Sequence, residues 1–317
     1  MLKYLVIQLC DTAPSFCHYS NPNTKKNLIS LEDLKAGILF GMKENLNIQL
    51  VYPDDKLSKD YKEAIDTIDH IDIVSFGNKD EELLQNADIV VIDSWEDVNE
   101  LLKEDKTYIL RTSKDDLFKN YNKLIALLPK VERINVVLTD IPEFKDDDFE
   151  TYKQILSEIS ESLAKEYISG QSPQTNLLTD RMVLKEMNNC NAGDEVITLA
   201  PDGKFYVCPA FYLNNEDAQG DLKNGLKIKN PQLFKLSHAP ICRKCDAFQC
   251  KRCIWLNELL TLEVNTPARE QCVTAHLERN ESRGVLAKIR ENGIFMPDIE
   301  IKEIDYLDPF EIVNQWK

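Results

Sequence analysis

The sequence predicts an α/β protein: a parallel sheet of six β/α units, forming an open sheet or a partial barrel, followed by a small cysteine-rich domain. Three observations carry this reading. Short apolar runs alternate with segments of helical period through the first 170 residues. Two of the runs, IVVI at 89–92 and INVVL at 134–138, are near-continuously apolar, broken only by Asn135, as in parallel strands covered on both faces. Seven of the nine cysteines (Cys190, Cys208, Cys242, Cys245, Cys250, Cys253 and Cys272) lie after residue 189.

The elements follow in order. Residues 4–9 (YLVIQL) form the first strand. Ser30, with Asp33 three residues on, opens a helix in capping-box style, and Leu31, Leu34, Ile38, Leu39 and Met42 recur at helical spacing. A second strand at 48–52 stops at Pro53, and a helix follows over 58–68. Strands at 71–76 and 88–92 flank a short acidic helix, and 95–102 is expected to be helical. Residues 108–112 are the fifth strand, 117–128 an amphipathic helix, 134–138 the sixth strand and 149–168 a long helix. Each crossover helix returns the chain to the same end of the sheet, so the strands should pair in parallel. Uneven strand spacing leaves a doubly wound sheet open. No GxGxxG follows the first strand and no GxxxxGK[ST] occurs, so neither a dinucleotide nor a nucleotide-phosphate loop is supported.

The character changes near Gly170, where GQSPQTN reads as a linker. Strands at 196–199 and 204–208 flank Pro201, Asp202 and Gly203, a turn sequence with preset φ, local capping and a residue that takes φ > 0. Helices are expected at 256–262 and 273–290. The expected domains are therefore 1–170, 171–297 and an acidic tail, 298–317, read as a solvated cover.

Composition narrows the function. With 43% hydrophobic and 29% charged residues the chain is a folded protein, not a disordered one. A net charge of −16 argues against nucleic acid as the main partner. No apolar run approaches the roughly 20 residues of a membrane helix, and no export signal is visible, so a cytoplasmic location is expected. In that setting a cysteine excess points to metal rather than disulfides.

The densest cluster is CRKCDAFQCKRC, residues 242–253: two CxxC pairs four residues apart. Each pair turns two sulfurs toward one point, and chance seldom gives both. Spacing alone suits one zinc held by four thiolates, while thiolates serve iron–sulfur clusters equally. Cys190, Cys208 and Cys272 would remain over, and seven thiols suit two centres better than one. Arg243, Lys244, Lys251 and Arg252 sit among the ligands, opposed only by Asp246; cations there offset a negative thiolate centre and lower thiol pKa. Paired acids at Asp54–Asp55 and the run at 146–148 read as helix caps.

The order Cys190, twelve residues, Gly203, four residues, Cys208, then the CxxC pairs, then Cys272 resembles the SPASM domain. That domain is the auxiliary-cluster module of radical S-adenosylmethionine enzymes that modify peptides. Its central block has five and then three intervening residues where this chain has four and two. The resemblance implies one [4Fe-4S] centre on Cys190, Cys208 and Cys253, with an open fourth position for which His238 and His276 come into view. It implies a second on Cys242, Cys245, Cys250 and Cys272. The N-terminal half is similar to the partial (β/α)6 barrel of those enzymes, where CX3CX2C follows the first strand. Here CDTAPSFCHYSNP supplies only Cys10, Cys17 and His18, a degenerate site, so S-adenosylmethionine is not expected as a cofactor and catalysis is left open.

The segments 245–257, 264–272 and 276–279, together with the N-terminal CDTAPSFCHYSNP, resemble the CXXX repeat peptide maturase family along essentially the whole chain. The resemblance implies a maturation factor for a ribosomally synthesised peptide with repeated Cys-x-x-x motifs, with two auxiliary [4Fe-4S] centres. The alternative is a non-catalytic, zinc-stapled scaffold that presents the precursor to a partner modification enzyme.

Overall fold

The computed structural model describes residues 2–99, 105–187, 190–304 and 307–308. The elements run β1 (Tyr4–Gln8), α1 (Leu31–Lys43), β2 (Asn47–Val51), α2 (Lys59–Ile65), β3 (His70–Ser75), α3 (Glu81–Asn86), β4 (Ile89–Ile92), β5 (Thr107–Thr112) and α4 (Lys114–Leu127). They continue with β6 (Arg133–Leu138), α5 (Asp146–Ile168), β7 (Gln174–Thr175), α6 (Thr179–Val183), β8 (Val196–Leu199), β9 (Phe205–Tyr206), α7 (Pro209–Leu213), β10 (Gly220–Asp221), β11 (Gly225–Leu226), α8 (Ile254–Thr261) and α9 (Arg269–Arg290). The expected α/β class with a parallel sheet is therefore present, and the six expected strands are found within a residue or two of their predicted places.

Two compact units are drawn from interleaved stretches: Met1–Val91 with Cys190–Ala239, and Ile92–Asn189 with Pro240–Lys317. These differ from the contiguous domains expected at 1–170 and 171–297. The reason lies in the strand order of the first unit, β4-β3-β2-β1-β8-β9. Strands β1 to β4 pair in parallel, as expected. Strand β8, assigned from sequence to the later domain, pairs in parallel with the other edge of β1, Tyr4 opposite Val196 and Ile7 opposite Leu199. Leu5, Val6 and Ile7 are all buried, and an uncovered β1 edge would leave their backbone groups without partners.

The β8–β9 hairpin closes on the predicted turn. Gly203 takes φ +75° and its N–H donates to the Ala200 carbonyl, while Asp202 accepts from the Lys204 N–H at 3.1 Å and from the Tyr206 hydroxyl at 2.9 Å. Helix α1 begins as its sequence indicates: the Ser30 hydroxyl accepts from the Asp33 N–H at 3.0 Å. Gly37 and Gly41 let α1 lie close on the sheet, since a Cβ on Gly37 would fall 2.3 Å from a Leu199 methyl and one on Gly41 2.7 Å from an Ile48 methyl.

In the second unit β5, β6 and β7 pair in parallel. Strand β7 falls in the segment expected to be a linker. Its signal was hidden because the Asn176 side chain, not a run of apolar residues, secures it: the amide donates to the Val136 carbonyl and accepts from the Val136 N–H. Helix α5 starts at Asp146, three residues before the periodicity suggests, because Asp146, Asp147 and Asp148 place their carboxylates at the positive end of the helix. Its buried face (Phe149, Tyr152, Ile155, Leu156, Ile159, Leu163) packs along α9. Over 95–102 the expected helix is replaced by a turn at 95–96 and a 3-10 turn at Asp97–Asn99, and residues 100–102 lie outside the described residues. In the C-terminal segment Ile301 and Asp308 are buried, with Asp308 paired to Arg269 at 3.3 Å, so at these positions the tail packs rather than standing in solvent. Among the described residues no helix is long and apolar enough to cross a membrane.

Candidate metal centre

In the second unit the central cysteine block folds as two sulfur-directed turns. Cys242 begins a 3-10 turn, and the Cys245 N–H donates to the Cys242 carbonyl. The Cys245 sulfur then accepts from the Ala247 N–H at 3.4 Å, and the Cys250 sulfur from the Arg252 N–H at 3.4 Å. The second turn holds Arg252 at φ +39°, a costly conformation for a long side chain. Backbone donors aimed at sulfur favour the thiolate over the thiol. Cys272 enters from the first turn of α9.

These four thiols, Cys242, Cys245, Cys250 and Cys272, line one small cavity together with Arg252 and His276. Burial pushes each of the four thiols up, Cys242 to about 11. Their mutual repulsion adds to it: Cys272 feels Cys250, Cys242 and Cys245. Cys253, the last of the block, does not line this cavity; it is buried at the N-cap of α8. The quartet implied by the resemblance for the second centre thus lines one cavity.

Cations oppose the burial. Arg252 is 1% exposed and lowers the Cys242 thiol. Arg279, fully buried, donates through Nε and Nη2 to Asp246 at 3.0 and 2.5 Å. Arg181, 4% exposed, donates to the same carboxylate at 3.3 Å and lies 4.4 Å over the Phe248 ring. Burial alone would raise the Asp246 carboxyl, but Arg279 and Arg181 hold it below its usual range. Both guanidiniums also lower the Cys245 thiol. A buried cavity lined by four thiols and Arg252, with Arg181 and Arg279 acting on Cys245, is chemically suited to a negative, thiolate-held group. His276 Nε2 lies 3.3 Å from the Cys245 sulfur, and burial pushes the imidazole down to about 4, so it is neutral near pH 7. Among the described residues, no three His, Cys, Asp or Glu side chains draw together closely enough to hold a single metal ion.

The basic residues flagged from sequence divide. Arg243 and Lys244 are exposed, Lys251 pairs with Asp180 at 3.6 Å, and only Arg252 turns inward. Arg181 and Arg279 were missed, because nothing in their local sequence separates them from surface arginines. Phe248, in the cysteine block, and Asp246, beside Cys245, are what fix them.

The first unit holds Cys190 and Cys208. Cys208 is the N-cap of α7, and burial, then Cys190, then Cys17 raise its thiol. Cys10 is placed differently: its sulfur faces the Thr12 hydroxyl at 3.3 Å, and its backbone bridges to Leu28. His18 is half-buried beside Cys17, and His238 is exposed, with Nδ1 3.1 Å from the Ser237 hydroxyl.

No family model matches the chain, and no curated protein matches it in sequence. Solved structures do share its fold. One is anSMEcpe with bound AdoMet, at a TM-score of 0.62 and 14% identity, covering 93% of this chain and 96% of that one. Another is anSMEcpe with bound AdoMet and the Cp18Cys peptide, at 0.63 and 13%, covering 92% and 100%. A third is Streptococcus suis SuiB bound to precursor peptide SuiA, at 0.50 and 14%, covering 86% and 76%. The chain therefore has the fold of proteins solved with AdoMet and with peptides.

Proposed function

We propose that this protein is a maturation factor for a ribosomally made peptide with repeated Cys-x-x-x motifs, and that its C-terminal thiols hold iron–sulfur centres. The observation that carries the reading is the convergence of Cys242, Cys245, Cys250 and Cys272 on one buried cavity beside Arg252. Four thiolates around one zinc would stand only about 3.8 Å apart, given a Zn–S bond near 2.3 Å. Iron–sulfur clusters are held by four Cys thiolates, and this cavity is lined by four. The peptide side of the reading draws support from the fold, shared with structures that hold Cp18Cys and SuiA.

The test is metal analysis of protein purified anaerobically and reconstituted with iron and sulfide, followed by binding of a synthetic Cys-x-x-x repeat peptide. Brown protein carrying iron and sulfide, with peptide affinity that falls when the clusters are stripped, is the expected result. Colourless protein holding two equivalents of zinc would instead select the stapled scaffold that presents the peptide to a partner enzyme. AdoMet titration belongs in the same experiment. Cys10 and Cys17 supply two thiols where a three-thiolate site is needed, so no reductive cleavage is expected.

A further inference from the structure

The cations around the thiol cavity are not equivalent. Arg279 and Arg181 share one carboxylate, Asp246, and neither lines the cavity. Arg252 does, alongside Cys242, Cys245, Cys250 and Cys272. Its neighbour Lys251 pairs with Asp180 at 3.6 Å, and Arg243 and Lys244 stand exposed. Of the four basic residues in the cysteine block, Arg252 is thus the one held at the sulfurs.

The backbone keeps it there. Arg252 takes φ +39°, a region that suits Gly or Asn far better than a long side chain. Its N–H donates to the Cys250 sulfur at 3.4 Å, so the turn that aims this thiol at the cavity also carries the guanidinium. The residue is 1% exposed. At that depth salt screens little, and a cation acts more strongly on its surroundings than it would in water.

We propose that Arg252 sets the reduction potential of the centre held by Cys242, Cys245, Cys250 and Cys272, raising it and so making that centre easier to reduce. The inference rests on the iron–sulfur reading above and extends it, since it makes the centre a redox group and not only a staple. One-electron reduction adds one negative charge to a cluster that its thiolates already make negative. A fixed cation at the cavity wall favours the reduced state over the oxidised one, which raises the potential. Zinc has no second oxidation state for such a charge to select. Arg252 is a positioning residue in this sense: it acts on the centre through its field and through the Cys250 turn.

The experiment uses the full chain, reconstituted anaerobically with iron and sulfide and reduced stepwise with dithionite while electron paramagnetic resonance is recorded. The signal absent from Cys245→Ser marks the centre in question. Arg252→Gln should keep its iron and sulfide and give that signal at a lower midpoint potential. A tenfold fall in the equilibrium constant for one-electron reduction, about 59 mV, is the expected size. The shift should persist in high salt, as befits a buried charge and not a surface one. Arg252→Lys keeps a charge and should recover most of the shift, while Arg243→Gln, at an exposed position, should match the wild type. Arg252→Gln with full iron and a wild-type potential would overturn the inference and leave the iron–sulfur reading intact. A wild type that holds zinc and no iron would remove that reading, and the inference with it. Arg252→Asn covers a folding failure, because asparagine takes positive φ readily while the same charge is removed. Loss of the centre from both neutral variants, with wild-type circular dichroism, would show that Arg252 builds the site and does not tune it, and would also overturn the inference.

Discussion

His276 Nε2 stands 3.3 Å from the Cys245 sulfur, one of four thiols that face the same cavity. The imidazole is neutral near pH 7, so it can give one hydrogen bond to a thiolate without adding charge. Hydrogen bonds to sulfur stabilise the more negative, reduced state of a cluster. His276→Ala should therefore keep its iron and shift the midpoint potential of one centre downward. Redox titration followed by electron paramagnetic resonance reads this directly, and an unchanged potential would count against the contact.

Arg279 is fully buried and shares Asp246 with Arg181. Removing Arg279 leaves the carboxylate with one weaker partner and opens a void. Arg279→Ala should cost about 3 kcal/mol, the lower end for a broken buried pair, since Asp246 keeps some access to water. Arg279→Lys should recover little, because a single ammonium cannot reproduce the two-nitrogen fork. Urea denaturation of the iron-loaded protein measures both.

The His70 and Asp72 side chains approach to 3.2 Å at the start of β3, and the Asp72 hydrogen bond, outweighing burial, raises the His70 imidazole above its usual value. A histidine whose folded pKa is raised adds stability that is complete below about 6.5, the unfolded value, and fades as pH climbs through the higher folded value. The wild type should thus lose roughly 1 kcal/mol or less between pH 6 and 8.5 relative to His70→Gln. Melting temperatures of both proteins across that range test the sign; a difference that grows with pH would contradict it.

Tyr152 is completely buried on α5, and its hydroxyl donates to Glu278 of α9 at 2.8 Å. Burial pushes the Glu278 carboxyl up to about 7. Tyr152→Phe keeps the ring and deletes the bond, and should cost about 1–2 kcal/mol. Leu156→Ala, one turn along the same buried face, removes apolar volume and should cost about 2–5 kcal/mol. Equilibrium unfolding should rank them in that order.

The strands were legible because each announces itself locally. IVVI has no polar residue to place in solvent and INVVL only Asn135, and Pro201, Asp202 and Gly203 state their turn outright. The CxxC spacing of Cys242 and Cys245 leads both to the cavity, but that of Cys250 and Cys253 does not, since Cys253 is the N-cap of α8. What stayed hidden depends on distant partners. Val196–Leu199 looks the same whether its hairpin stands alone or lines β1, and only the burial of Leu5 and Ile7 decides it. Arg181 and Arg279 matter through Asp246, which lies 65 and 33 residues away.

The parallel seam between β1 and β8 has a consequence for biosynthesis. Tyr4 and Val196 are neighbours in the sheet but are made far apart in time. At roughly 5–20 residues per second, a ribosome takes on the order of 10–40 s to deliver the missing partner. For that interval one flank of a mostly apolar strand is open to any passing chain. The nascent protein should therefore need chaperone shielding most before residue 200 emerges, and chains cut short of β8 should aggregate rather than yield a tidy N-terminal fragment.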